Sequence, residues 1–184
     1  TNTLMGLGGF PASDPLFVGM LGMHGTYEAN MAMNRADLIV AVGARFDDRV
    51  TGRLDAFAPE AKKIHIDIDP SEFGKMVEPD VAITGDARLV LDELIPQIQP
   101  ADTKEWLEQC DTWRQRYPLK YAKQGGLRAQ HVLDRLNALT EGQAIIATDV
   151  GQHQMWAAQF CLSTTNRHWI SSGGAGTMGF GFPA

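Results

Sequence analysis

The sequence lacks the features of membrane-spanning, secreted and nucleic-acid-binding proteins. It contains no apolar run of about eighteen residues, and its first ten residues lack the charged and apolar segments of a signal peptide. Its two cysteines, Cys110 and Cys161, form no CxxC pair, so neither a zinc site nor a disulfide framework is indicated. A reducing compartment is therefore expected, the cytoplasm in a bacterium or an organelle in a eukaryote. The net charge of −6 and the scattered basic residues argue against nucleic acid and membrane surfaces as partners.

Glycine, by contrast, is abundant. The chain has nineteen glycines in a composition that is 44% hydrophobic and 21% charged, as in soluble globular proteins. Five of the glycines fall between positions 173 and 181. Because glycine in a regular element costs about 0.5–1 kcal/mol, such a run favours a functional turn over a simple connection. The chain stops directly after this run, where a helix is expected to begin, so we expect it to be an internal piece of a longer protein.

Apolar periodicity predicts an α/β fold with a parallel sheet. Strand-length apolar runs occupy 38–42, 64–68 and 144–148, with weaker ones at 81–84 and 168–170. Helical spacing of apolar residues occupies 87–98, 106–117 and 132–139. Strands that alternate with helices indicate βαβ units, in which ligands gather at the carboxyl ends of the strands.

A polar stretch divides the chain into two parts. Residues 96–126 contain three prolines, lack strand signals and end in a Gly-Gly pair. We therefore predict a first domain over 1–97, a linker with one helix over 98–124, and the beginning of a second α/β domain over 125–184.

The most unusual segment is AVGARFDDRVTG, at 41–52. A predicted buried strand runs into Gly43, and Arg45, Asp47, Asp48 and Arg49 follow at its carboxyl end. A guanidinium group suits a phosphate or carboxylate because it donates two parallel hydrogen bonds to paired oxygens. The alternative interpretation is a surface cluster of ion pairs; the position at the strand end favours a ligand site.

Acidic residues close the next predicted strand, IHIDIDP at 64–70. Asp67 is predicted to hold a ribose or ribityl hydroxyl, as acids at the ends of such strands do. Asp69 is predicted to cap a helix that starts near Ser71.

Two later segments suit phosphate groups. Residues 174–179 fit GxGxxG, which would hold the pyrophosphate of a dinucleotide if a helix followed. Residues 150–156, VGQHQMW, follow a predicted strand and place Gln152 and His153 where a helix N-terminus meets a diphosphate. His24 lies similarly between glycines in GMHG, whereas His65, His131 and His168 are predicted to be structural.

Taken in order, the motifs GMHG, AVGARFDDRVTG, IDIDP, GDA, DVGQHQMWAAQ and SSGGAGTMGFGFPA resemble the acetolactate synthase (acetohydroxyacid synthase) catalytic subunit family over nearly the whole chain. The resemblance implies a Rossmann-like flavin domain followed by the start of a thiamine-diphosphate-binding domain. It implies thiamine diphosphate, FAD and Mg²⁺ as cofactors and 2-oxo acids as substrates. It also implies a homodimer or homotetramer with a regulatory small subunit.

Site residues follow from the resemblance, motif by motif. Those implied to contact FAD are Thr3, Leu4, Met23, His24, Gly43, Ala44, Arg45, Asp47, Val50, Asp67, Gly85, Asp86 and Ala87. Those implied to contact thiamine diphosphate are Val150, Gly151, Gln152 and His153 at the diphosphate, and Gly176 and Met178 at the aminopyrimidine. Arg49 is implied to receive the carboxylate of the second substrate.

The implied activity is the condensation of two pyruvates, or of pyruvate with 2-oxobutyrate, with loss of CO₂. This reaction is the first common step of branched-chain amino acid biosynthesis. The family's metal-binding motif is expected beyond Ala184 and its activating glutamate before Thr1, so the chain alone is expected to be inactive. Alternatives are a glyoxylate carboligase or 2-oxo acid decarboxylase, a nicotinamide-dependent dehydrogenase, and a flavin-binding module without turnover.

Overall fold

Two parallel sheets organise the protein in a computed structural model that describes residues 1–184. The first has the order β1-β2-β3, formed by β1 (Leu38–Val42), β2 (Lys62–Asp67) and β3 (Val81–Thr84). The second pairs β4 (Ile146–Thr148) with β5 (Trp169–Ser171). The predicted α/β class with parallel strands is confirmed, and all five predicted strands are present with small shifts at their ends.

The alternation of β1 shows how the first sheet builds its core. Ile39 and Ala41 are buried on one face with Phe46, Ala58 and Ala61, while the residues between them lie on the more exposed face. The β-branched sequence LIVAV favours the extended conformation because such side chains pack well on a pleated surface. The buried row fixes the register of β1 and thereby the position of the loop that follows it.

Six α-helices accompany the strands. They are α1 (Tyr27–Asn34), α2 (Asp48–Thr51), α3 (Ala87–Leu94), α4 (Lys104–Arg116), α5 (Ala129–Leu139) and α6 (Gln152–Phe160). The helix predicted over 87–98 ends earlier, and its last part is a 3₁₀ turn over Ile95–Gln97. The reason is Pro96, which has no N–H to donate to the carbonyl oxygen four residues earlier and so interrupts the α-helical hydrogen bonding. The longest helix has thirteen residues, and none is long and apolar enough to cross a membrane.

The helix of the predicted linker packs on the first part of the chain. Cys110 and Trp113 of α4 contact Val18 and Ala32. Arg114 donates from Nη2 to the carbonyl oxygen of Phe17 at 2.9 Å. The linker is therefore fixed against α1 rather than extended between two bodies.

The reactivity of Cys161, directly after α6, tests whether this residue is buried as the structure shows. It is buried, and its Sγ lies 3.7 Å from the carbonyl oxygen of Leu133. Burial raises the pKa of the Cys161 thiol to about 11. Because the thiolate is the reactive form, we expect alkylation of Cys161 by iodoacetamide at pH 8 to be at least tenfold slower in the native protein than in the unfolded one. Mass-spectrometric mapping of the alkylated peptide measures this, and equal rates would contradict the buried position.

Candidate functional site

The carboxyl ends of β1, β2 and β3 bring three of the predicted flavin-site residues together. The N–H of Gly43 donates to the carbonyl oxygen of Ile66 at 2.8 Å, and the N–H of Gly85 donates to that of Asp67 at 2.9 Å. Gly43 adopts φ of 64°, and a side chain there would meet nothing within 4 Å. This edge of the sheet is thus open at the point where the chain leaves β1, as a site that receives a ligand requires.

Phe46 determines which way the charged loop after β1 faces. It adopts φ of 53° although it is not glycine, and it is only 6% exposed. Its ring packs edge-on against His65 and Phe57, with centroids 5.1 and 6.0 Å away. Burial of this ring offsets the strain of the left-handed conformation. With Phe46 inside, Arg45 and Arg49 on either side of it lie at the surface.

Both arginines make exposed ion pairs. Arg45 lies 3.4 Å from Asp47, and Arg49 lies 3.3 Å from Asp48. The surface ion pairs that the sequence offered as an alternative are therefore present. Exposed ion pairs contribute about 0–1 kcal/mol to stability, so neither pair would prevent an anionic ligand from binding the guanidinium group in place of the aspartate. Arg49 is the more accessible of the two, with a side chain that is 70% exposed.

The GMHG loop rests on α2. The N–H of Met23 donates to the carbonyl oxygen of Arg49 at 2.7 Å. Gly22 has φ of 101°, and a Cβ there would lie 2.5 Å from the same oxygen. The side chain of Asn30 closes the loop by bonding the N–H and carbonyl of Gly22 at 2.8 and 3.0 Å. These contacts place Met23 beside Arg49 and Val50.

The first residues of the chain lie beside the segment that leads into this loop. Asn2 pairs with Met20 in a parallel bridge, and the carbonyl oxygen of Asn2 accepts from the N–H of Leu21 at 3.0 Å. Thr3 then closes a turn, because its Oγ1 accepts from the N–H of Gly6 at 3.1 Å. Thr3 and Leu4 are thereby placed next to the chain that precedes Met23.

Three aspartates at the sheet edge have local hydrogen-bonding tasks. Asp69 accepts from the N–H of Ser71 at 2.9 Å and caps a 3₁₀ turn, which confirms the predicted cap. That bond lowers the pKa of Asp69. Asp86 likewise caps α3, through Oδ1 and the N–H groups of its first turn. Asp67 accepts from the N–H of Asp69 at 2.9 Å through Oδ1, which leaves Oδ2, 3.8 Å from His65, for another partner.

The second group of predicted residues surrounds the start of α6. Gly151, with φ of 149°, precedes the helix and provides no side-chain cap. The N–H groups of Gln152 and His153 donate to no acceptor in the chain. Unsatisfied N–H groups and the positive end of the helix dipole together favour an anionic ligand at this position. The geometry therefore fits a diphosphate group.

The glycine-rich segment after β5 folds as turns. Residues 172–184 contain no helix, whereas a dinucleotide fingerprint needs one directly after its glycines. The N–H groups of Gly176 and Thr177 donate to Ser172, to its carbonyl oxygen and its Oγ, both at 2.9 Å. Met178 lies at the surface of these turns and is 70% exposed. This arrangement does not favour the dehydrogenase alternative.

Two family models match the chain. Residues 1–94 match the family described as "Thiamine pyrophosphate enzyme, central domain", and residues 149–184 match "Thiamine pyrophosphate enzyme, C-terminal TPP binding domain". The chain belongs to the thiamine pyrophosphate enzyme family.

Several curated members of this family are similar to the chain over its whole length. Acetolactate synthase 1, chloroplastic, of Oryza sativa subsp. japonica is 51% identical and is matched by 100% of the chain. The acetolactate synthase large subunit of Parasynechococcus marenigrum is 54% identical, also over 100% of the chain. The isozyme 3 large subunit of Escherichia coli K12 is 50% identical over 99%. The chain spans only 30%, 30% and 33% of these relatives' lengths.

A hydrogen bond joins the part of this thiamine pyrophosphate enzyme chain before the linker to the part after it. Gln159, on α6, donates from Nε2 to the carbonyl oxygen of His24 in the GMHG loop at 2.9 Å. Sequence reasoning did not single out Gln159, Gly22 or Phe46, because each acts through a contact with a residue far along the chain. The only available signal was the position of Gln159 at the end of the motif GQHQMWAAQ and of Phe46 within RFDD.

No three His, Cys, Asp or Glu side chains lie close enough together to hold a metal ion.

Proposed function

We propose that the chain is part of an acetolactate synthase catalytic subunit, which condenses two 2-oxo acids with loss of CO₂. The observation that carries the proposal is the identity of 50–54% to acetolactate synthases over 99–100% of the chain. The exposed Arg49 on the loop after β1 supports it, because this reaction needs a cation for the carboxylate of a second 2-oxo acid. The words "large subunit" in two relatives' names support a regulatory small subunit, and a homo-oligomer is proposed with it.

Thiamine diphosphate fits the start of α6. The free N–H groups of Gln152 and His153, with the adjoining backbone of Val150 and Gly151, would bind the diphosphate. Gly176 and Met178 would contact the aminopyrimidine, with Met178 as an apolar wedge that keeps the cofactor bent. When bound, the cofactor supplies an acidic carbon that adds to the 2-oxo acid and accepts the electrons released with CO₂. The task of these residues is to position it and to exclude water.

The flavin is proposed to lie at the carboxyl edge of β1-β2-β3. Gly43 provides the open approach, and Oδ2 of Asp67 is available for a ribose or ribityl hydroxyl. The remaining contacts are proposed at Thr3, Leu4, Met23, His24, Ala44, Arg45, Asp47, Val50, Gly85, Asp86 and Ala87. We accordingly propose a Rossmann-like flavin domain over 1–97, a linker over 98–124 and the thiamine-binding domain from 125.

The full-length parent subunit tests this function. With thiamine diphosphate, Mg²⁺ and FAD, we expect it to convert pyruvate to acetolactate and CO₂, with one CO₂ released for each acetolactate formed. Colorimetric detection of acetolactate, together with CO₂ release, measures both products. Free acetaldehyde as the main product would identify a decarboxylase, and reaction with glyoxylate but not pyruvate would identify a glyoxylate carboligase. Either result would overturn the proposal.

A further inference from the structure

Asp149, between β4 and α6, binds two segments of the chain at once. Its Oδ1 accepts from the N–H of Val150 at 3.0 Å, two residues before α6 begins. The N–H of Gly179, thirty positions away, donates to both carboxylate oxygens at 2.7 and 2.9 Å. The N–H of Phe180 adds a further bond of 3.3 Å. These bonds lower the pKa of Asp149, so the carboxylate is ionised at neutral pH.

Gly181 gives independent evidence that the glycine-rich segment is held closely here. A Cβ at this position would lie 2.5 Å from the backbone N of Asp149 and 2.6 Å from the carbonyl carbon of Thr148. Both neighbours are backbone atoms at the end of β4, and they have little room to move. The turn that carries Gly179 and Phe180 therefore lies directly on the end of the strand.

From these two observations we infer that Asp149 is a positioning residue for thiamine diphosphate. It ties the turn that carries Met178 to the strand end from which α6 starts, and so sets the spacing between the two halves of the cofactor site. The inference rests on the proposed thiamine site at Gln152, His153 and Met178. All the hydrogen bonds that the Asp149 carboxylate accepts come from backbone N–H groups of the chain.

A carboxylate suits this task better than any neutral side chain. Three N–H groups from two segments converge on it, and charge-assisted hydrogen bonds are roughly twice as strong as neutral ones. In Asp149→Asn, Oδ1 could still accept from all three N–H groups, but the amide NH₂ would replace Oδ2, so the second bond of Gly179 and the negative charge that strengthens the others would be lost. In Asp149→Ala, all of them would be lost, and only the packing at Gly181 and the bonds of Gly176 and Thr177 to Ser172 would hold the segment.

The experiment uses the full-length parent subunit with Asp149→Asn and Asp149→Ala, and titrates the cofactor-free proteins with thiamine diphosphate. We expect the dissociation constant to rise about tenfold in the first variant and about a hundredfold in the second, because the first weakens these charge-assisted bonds and the second removes them all. Asp134→Asn is the matched control. Its carboxylate accepts from the Tyr121 hydroxyl at 2.8 Å in the same part of the chain but makes no contact with the glycine-rich segment.

Amide hydrogen exchange provides a second measurement that does not depend on the cofactor. In the cofactor-free wild type we expect the amides of Gly179 and Phe180 to exchange slowly, and in Asp149→Asn to exchange at least tenfold faster. An unchanged exchange rate, or a dissociation constant within twofold of the control, would overturn the role of Asp149. If the wild type binds no thiamine diphosphate, the proposed function fails, whereas protection of these amides still reports the bonds to Asp149. If Asp149→Ala does not fold, the decision rests on Asp149→Asn.

Discussion

Replacing Arg49 by alanine in the full-length parent subunit is expected to slow carbon–carbon bond formation about tenfold to a hundredfold while changing decarboxylation much less. The first step needs only one 2-oxo acid, whereas the second needs a cation to hold the carboxylate of another. A hydrogen bond to a charged group contributes about 1.5–3 kcal/mol, which corresponds to this range of rates. The ratio of acetolactate formed to CO₂ released measures the two steps separately.

Arg53→Ala is the matched control for this prediction. Arg53 lies on the same segment, is similarly exposed and is paired with Asp55, so it reproduces the loss of charge and of a surface ion pair. The backbone oxygen of Arg49 that accepts from Met23 remains in the alanine variant. The GMHG loop therefore keeps its support. Equal losses in both steps, or equal losses in both variants, would contradict a substrate-binding role for Arg49.

The parts of the fold that the sequence predicted are those governed by local pattern. β1 matches its prediction residue for residue because an apolar, β-branched run bounded by Asp37 and Gly43 has few alternatives. The helix α1 was not predicted, since its sequence YEANMAMN has a weak apolar periodicity. It is stabilised by Thr26, which caps it through Ala29 N–H, and by packing on α4. The second of these contacts depends on residues far along the chain, which no local pattern reveals.

Part of the candidate site could likewise be predicted from local sequence patterns, and part could not. Parallel strands bring Gly43, Asp67 and Gly85 to one edge, and this could be predicted from the order of strands and motifs alone. The bond between Gln159 and His24 could not, because it joins segments 135 positions apart. Nor could the contacts of Asp149, because its partners Gly179 and Phe180 donate through backbone N–H groups, which no side-chain pattern marks. Close contacts between backbones at glycine are therefore the part of this site that only the structure reveals.

One such contact has a large expected effect on stability. Gly22→Ala in the full-length parent subunit is expected to lower the free energy of unfolding by about 3–5 kcal/mol and to release most of the flavin. The new Cβ would lie 2.5 Å from the carbonyl oxygen of Arg49, and the backbone there is left-handed, with φ of 101°. To relieve the clash, the GMHG loop must move off α2 and lose its bonds to Asn30 and Arg49, each of which contributes about 0.5–1.5 kcal/mol. Left-handed strain adds about 1–2 kcal/mol.

Gly52→Ala separates the two causes of this effect. Gly52 also has a positive φ, of 59°, but a Cβ there would meet nothing within 4 Å. Gly52→Ala should therefore cost only backbone strain of about 1–3 kcal/mol and leave the flavin in place. Urea unfolding and the flavin content after gel filtration measure both variants. Backbone strain is common to both variants, so the difference between them reports the clash with Arg49. If Gly22→Ala were as stable and bound as much flavin as Gly52→Ala, the contact with Arg49 would not be what holds the GMHG loop. Met23 and His24 would then be positioned by other contacts.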